Sequence, residues 1–201
     1  MTRTTAHRAA AARTVPALAT AALLAAVTGL PAAAQDCTID GDHRDYGDAE
    51  VAALYDCMSQ KMIDGYTKEG DAVASQYRDW TPSATRAAVA GPHGERFLLT
   101  YANDVAAAQY LAFEIGDFEM PVGSILAKES IANRKGNARV GPLFIMEKVA
   151  DAPETDGWVY SGVQPNGKPL KISQSFCHDC HGGFADQDSM GYPVEEVRVS
   201  N

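Results

Sequence analysis

Basic residues are scarce: the 201-residue chain carries 26 acidic side chains against 17 Lys and Arg. Three of the arginines, Arg3, Arg8 and Arg13, fall in an N-terminal leader that contains no acid, and without it the count is 14 basic against 26 acidic, a formal charge of −12. A chain this acidic repels nucleic acid and anionic lipid, which excludes both as partners. After Leu30 no apolar run approaches the ~20 residues that span a bilayer. Internal repeats and low-complexity tracts are absent beyond the leader, and the length leaves no room for two enzyme-sized domains. A composition of 46% hydrophobic and 21% charged residues excludes disorder as the default state. Cysteine is also sparse, and the four that occur fall into two pairs with different chemistry.

The leader reads as an export signal. The arginine-bearing segment to Arg13 precedes an apolar stretch from Val15 to Leu30, then Pro31, Ala32, Ala33 and Ala34, before the chain turns polar at Gln35 and Asp36. That is an n-region, an h-region and a small-residue cleavage site. The alternative, an uncleaved anchor, is disfavoured by an apolar core of roughly 16 residues. Residues 1–34 are therefore expected to be a signal peptide, and the mature protein to be periplasmic with no membrane segment.

Cys177, His178, Asp179, Cys180 and His181 spell C-x-x-C-H, the attachment sequence of c-type haem. On a helix, positions i, i+3 and i+4 share a side, so two thiols can form thioethers to the vinyl groups while the imidazole of His181 binds iron. Zinc binding and a thiol redox pair are alternative uses of the same residues. Zinc needs further ligands from elsewhere, and a thioredoxin-like pair opens a helix after a strand. His178 lies about 100° round the helix from Cys177 and is expected to point away from the iron. Cys37 and Cys57 have no neighbouring His at metal spacing, and in an oxidising compartment they are expected to form a structural disulfide worth about 3 kcal/mol.

Val51, Leu54, Met58, Met62 and Tyr66 recur at helical steps and predict a helix from Asp48, a possible N-cap, to about Gln76, breakable at Gly65 or Gly70. Trp80 to Ser83 and Gly91 to Gly94 read as loops. Strands are expected over Glu95 to Tyr101, Gly123 to Ile131, Gly141 to Val149 and Gly157 to Val163, the middle two forming a hairpin about the turn Asn133 to Asn137. Asn103 can cap a short helix to Phe113. The fold class is α+β, a mainly antiparallel sheet with packed helices and a C-terminal haem-binding helix. Only residues 182–201 follow His181, with Met190 their one methionine. Met190 lies too close in sequence to cross the porphyrin, Met58, Met62, Met120 and Met146 read as core, and His93 reads as a loop residue. The iron is therefore expected to lack a strong sixth protein ligand.

A C-terminal C-x-x-C-H preceded by Tyr101 to Ala106, by Met120, Pro121, Val122 and Gly123 followed by Leu126, Ala127, Lys128 and Glu129, by Phe144 to Lys148, and by Asp156 to Tyr160 resembles the cytochrome P-460 family, including its gas-binding cytochrome c′-beta relatives. The resemblance covers roughly Trp80 to Val197 and divides the mature chain into a helical segment, 35–79, and a P-460-like haem c domain, 80–201. It implies one covalent haem c, a homodimer, five-coordinate iron, and either hydroxylamine oxidation or nitric oxide binding. Hydroxylamine-oxidising members bond a lysine to the porphyrin edge, and Lys128 stands at that place; they also use a distal carboxylate, for which Glu147 is the candidate if the hairpin sets it opposite Lys128. The alternative is a surface ion pair between the two. Val122 replaces the family's usual acid, and Ser189, Met190, Gly191 and Tyr192 replace a Val-Phe pair, which leaves the active type open. In the enzyme reading, an oxidoreductase passes electrons from hydroxylamine to a soluble redox partner. In the binding reading, Phe113 or Phe118 walls the distal side and a small nitrogenous ligand is held without turnover. Plain electron transfer is the third alternative.

Overall fold

A computed structural model of the chain describes residues 1–2 and 37–200. The expected signal peptide, apart from its first two residues, lies outside the described residues. Helix α1 (Asp48–Tyr66) forms because Val51, Leu54, Met58, Met62 and Tyr66 make one continuous stripe, and all five are buried. Gly47, not Asp48, is the N-cap; Asp48 and Glu50 occupy the first turn, where negative charge complements the helix dipole. The helix stops ten residues short of the predicted Gln76. Two 3-10 turns, Thr67–Glu69 and Tyr77–Asp79, carry the chain onward, and Gly70 supplies the left-handed conformation (φ 78°) that ends the first of them. Cys37 and Cys57 are disulfide-bonded, with Cα atoms 5.9 Å apart, which ties the segment before α1 to that helix.

Among the described residues seven strands follow: β1 (Thr81–Pro82), β2 (Ala88–Ala90), β3 (Arg96–Ala102), β4 (Ile125–Arg134), β5 (Asn137–Val140), β6 (Leu143–Lys148) and β7 (Trp158–Val163). They form one sheet in the order β1-β3-β4-β6-β7, with β2 also on β3 and β5 also on β4, and every pair is antiparallel. Helix α2 (Asp104–Tyr110) connects β3 to β4, and α3 (Gln174–His181) follows β7. The α+β class thus stands. Asn103 caps α2, accepting from the Ala106 N–H at 3.0 Å; it also accepts from the Ile125 N–H and donates to the Gly123 carbonyl, so the same side chain fixes where β4 begins.

The hairpin turns at Lys135 and Gly136, both at positive φ (55° and 81°), between the paired residues Arg134 and Asn137. A two-residue turn of this kind matches the twist of the flanking strands. Its return arm, predicted as one strand from Gly141 to Val149, is two. Ile131 pairs with Val140, but Lys128 pairs with Phe144, so one extra residue is inserted at Gly141 and Pro142. Proline offers no N–H to the ladder, and a Cβ on Gly141 would collide with Ser130 Oγ. Because side chains alternate across a strand, the extra residue exchanges the two faces of β6.

The sheet separates two cores. On one face Phe97, Ala127, Ile131, Leu143 and Ile145 pack with the buried stripe of α1. On the other, Ala102, Leu126, Met146, Trp158 and Tyr160 pack with Ala106 and Tyr110 of α2 and with Met190. Met58, Met62, Met120, Met146 and Met190 are all buried, as core residues should be. Glu129 is fully buried on the α1 face, where it accepts from Tyr77 Oη at 2.7 Å and from Arg78 Nη2 at 2.6 Å. Burial pushes its carboxyl above the usual range, against the opposing pull of Arg78.

Glu129→Leu strands the guanidinium of Arg78 without its carboxylate, and should lower the free energy of unfolding by about 3–5 kcal/mol. Combining it with Arg78→Met should recover a large part of that loss. Denaturant unfolding of the single and double variants checks both values.

Candidate functional site

Helix α3 begins at Ser173, whose hydroxyl accepts from the Phe176 N–H at 3.2 Å. Its first residue, Gln174, binds the backbone of Tyr160 twice, Tyr160 N–H to Oε1 and Nε2 to the Tyr160 carbonyl, both at 2.7 Å. These bonds dock the helix on the free edge of β7. Cys177, Cys180 and His181 then follow at i, i+3 and i+4 on one helix. Cys177 is half-buried and lines the cleft described below; Cys180 is exposed. His178 turns to the protein, with Nδ1 3.1 Å from Tyr160 Oη and Nε2 3.4 Å from Asp156.

The imidazole of His181 is fixed by the segment that follows it. Its Nδ1 lies 2.9 Å from the Ser189 carbonyl, which can only accept, so Nδ1 carries the hydrogen and Nε2 keeps its lone pair. Burial lowers the pKa of His181, which favours that neutral form. Presenting this carbonyl takes two consecutive non-glycine residues at positive φ, Asp188 (47°) and Ser189 (60°). Left-handed backbone costs roughly 1–2 kcal/mol per residue. It is held by a buried cluster in which the Asp188 carboxylate binds Lys148 Nζ at 2.8 and 2.9 Å and the Met120 N–H at 2.8 Å, while its backbone carbonyl accepts from Trp158 Nε1 at 2.7 Å.

Between α3 and the sheet lies a partly open cleft. Two cross-strand rows form its floor: Thr100, Lys128 and Phe144 on β3, β4 and β6, then Leu126, Met146 and Tyr160 on β4, β6 and β7. Cys177, His181, Ile172, Tyr110 and Gly191 close the far side, and His93 reaches in from the turn between β2 and β3. Lys128 therefore shares a cleft with Cys177 and His181. Its ammonium has no ion-pair or hydrogen-bond partner among the described residues, and desolvation lowers its pKa to about 8.

Several expectations need correction. Glu147 does not lie opposite Lys128: it pairs with Ile125, is exposed, and stands on the other face of the sheet, because the extra residue at Gly141 and Pro142 put Phe144, Met146 and Lys148 on the cleft side. Phe113 packs on Tyr110 and Tyr192, and neither it nor Phe118 lines the cleft; Phe144, Tyr160 and Tyr110 are the aromatic walls. His93, read as a loop residue, is half-buried, with its ring 4.6 Å from Phe144 and 6.3 Å from His181 between centroids. Burial, with the neighbouring Lys128, His181 and Arg96, holds its pKa down at about 3. The only signal for it in the sequence was a histidine inside a Gly/Pro turn, a type of segment that often carries function.

The donor set fits a haem. His181 offers an oriented lone pair at a cleft edge, with Cys177 beside it. The rival uses fit less well: among the described residues no group of three or more His, Cys, Asp and Glu converges as a metal site. Burial, with Cys180, raises the pKa of the Cys177 thiol, where a redox nucleophile needs it lowered.

The family profile of cytochrome P460 matches residues 74–190, a span that contains Lys128 and the whole C-x-x-C-H motif. The chain belongs to the cytochrome P460 family. No curated protein matches it. As a cytochrome P460 it is a haem-binding cytochrome, and the cleft between α3 and the sheet is where its own residues can hold that group. No helix among the described residues is long and apolar enough to cross a membrane.

Asp188→Ala leaves Lys148 buried without a carboxylate and releases the strained segment behind His181, so unfolding free energy should fall by about 3–5 kcal/mol. Glu147→Ala, on an exposed position of the opposite face, should stay within about 0.5 kcal/mol of the parent and leave the haem spectrum unchanged. Denaturant melts and absorption spectra of the two variants test the placement.

Proposed function

We propose that this cytochrome P460 is exported to the periplasm, carries one haem c through thioethers to Cys177 and Cys180 with His181 as axial ligand, and binds nitric oxide on the haem face opposite His181. The observation that carries the reading is the cleft lining. Apart from His93, Lys128 and His181 the lining side chains are uncharged and mostly apolar, and among the described residues no Asp or Glu lines it. Haem supplies an iron centre that takes a small ligand and exchanges one electron. The protein supplies the rest. Ser189 holds the tautomer and angle of His181; Leu126, Phe144 and Met146 exclude water from the opposite side; Tyr160 and Gln174 keep α3 against the sheet. An uncharged diatomic suits such walls. Hydroxylamine oxidation releases protons, and the carboxylate expected to accept them, Glu147, lies on the other face of the sheet.

One observation favours the second reading, hydroxylamine oxidation. Lys128 brings a desolvated amine with a pKa of about 8 into the cleft, where a bond to the porphyrin edge would tune the haem. The two readings part on the state of that amine. For nitric oxide binding, proteolysis of the holoprotein should give the Cys177 to His181 haem peptide and the Lys128 peptide as separate masses, the Soret band should sit at an ordinary c-type position, and nitric oxide should bind without turnover of hydroxylamine. A single mass joining the two peptides, with a red-shifted ferrous Soret band and hydroxylamine-dependent reduction of an acceptor, would overturn it in favour of the enzyme.

A further inference from the structure

His93 is a cleft imidazole that the proposed function does not use. It sits in the 3-10 turn Gly91–His93 between β2 and β3, and the turn is closed by Gly94 in the left-handed conformation (φ 79°), where a Cβ would meet Arg96 Nη1 at 2.9 Å. The backbone is held from outside the cleft: Arg96 donates to the His93 carbonyl, His43 Nε2 lies 3.0 Å from the Glu95 carbonyl, and Arg44 pairs with the Glu95 carboxylate at 2.7 Å. The imidazole, by contrast, makes only edge contacts among the described residues, with Phe144 and His181, and its ring nitrogens have no hydrogen-bond partner among them. A neutral imidazole with both nitrogens unpaired has a lone pair to offer to whatever occupies the cleft.

What faces it is the axial ligand. The centroids of His93 and His181 are 6.3 Å apart with perpendicular rings. Two metal–imidazole bonds of about 2 Å each, as at other metal sites, plus the radii of two five-membered rings, cover that separation. Met146 also lines the cleft, but its side chain belongs to the apolar cluster with Leu126 and Tyr160.

We propose that His93 is the sixth ligand of the haem iron in the resting protein, and that a small ligand displaces it. The inference rests on the proposed haem at Cys177, Cys180 and His181. The exchange is balanced without redox change: the iron–imidazole bond to His93 breaks, a bond to the incoming molecule forms, and the freed imidazole stays neutral beside Phe144. Displacement rather than permanent ligation follows from the anchoring, since no hydrogen bond orients the ring of His93 as the Ser189 carbonyl orients that of His181.

The test uses the holoprotein and carbon monoxide as probe. Ferric wild-type protein should be low-spin without a methionine-to-iron charge-transfer band, and His93→Ala should be high-spin; His93→Phe, which keeps a ring against Phe144, should be high-spin as well. The rate of carbon monoxide binding to ferrous wild type should level off with concentration, limited by loss of His93, while both variants bind at rates that rise linearly and at least tenfold faster. A high-spin wild type, or a low-spin spectrum that survives both substitutions, overturns the role of His93 and leaves the proposed function standing. A wild type that loses its low-spin spectrum in the variants but takes up neither carbon monoxide nor nitric oxide overturns displacement, and the ligand-binding function with it, in favour of electron transfer. Loss of haem from wild type on denaturation instead refutes the attachment on which both depend.

Discussion

The bond between His181 and the Ser189 carbonyl is the constraint to which the rest of the site is fitted. It settles which nitrogen keeps a lone pair and at what angle, and it is made across only eight residues of chain. Asp188 and Ser189, both at positive φ, turn that segment back onto its own helix. The strain is tolerable because Asp188 is the hub of a buried cluster reaching Lys148 on β6, Trp158 on β7 and the backbone at Met120 before β4. Two strands and the loop before β4 thus bear on one imidazole. Backbone strain concentrated behind the proposed ligand His181 is the pattern expected where position matters more than local stability.

The sheet performs a second separation through strand β4. Its alternation sends Lys128 to the cleft and the adjacent Glu129 to the opposite core, where Arg78 and Tyr77 hold it. Two ionisable neighbours in sequence therefore act in different environments. The acid is committed to the interior, and the amine is left in an apolar cleft with its pKa lowered to about 8.

What could be read in the sequence was what depends on near neighbours. The stripe of α1, the Asn103 cap, the turn at Lys135 and Gly136 and the helix carrying Cys177, Cys180 and His181 all rest on spacings of three, four or two residues. Lys128 was found through family resemblance rather than periodicity. The failures have separate physical causes. A single inserted residue at Gly141 and Pro142 reverses the faces of β6, which turned Glu147 outward and Phe144 inward, and nothing in an apolar run from Leu143 to Met146 discloses that reversal. The short strands β1 and β2 lack a hydrophobic pattern and exist only because β3 offers them a ladder. His93 meets His181 across 88 positions of chain, a juxtaposition made by the sheet and α3 together.

The claim beneath all of this is that α3 is a covalent haem-attachment helix. The most direct measurement is haem-stained denaturing electrophoresis of the protein after acid-acetone extraction, compared with the Cys177→Ser/Cys180→Ser variant. The account predicts a haem-bearing band for wild type and its loss in the double variant. A wild-type polypeptide that gives up its haem under the same treatment would contradict it.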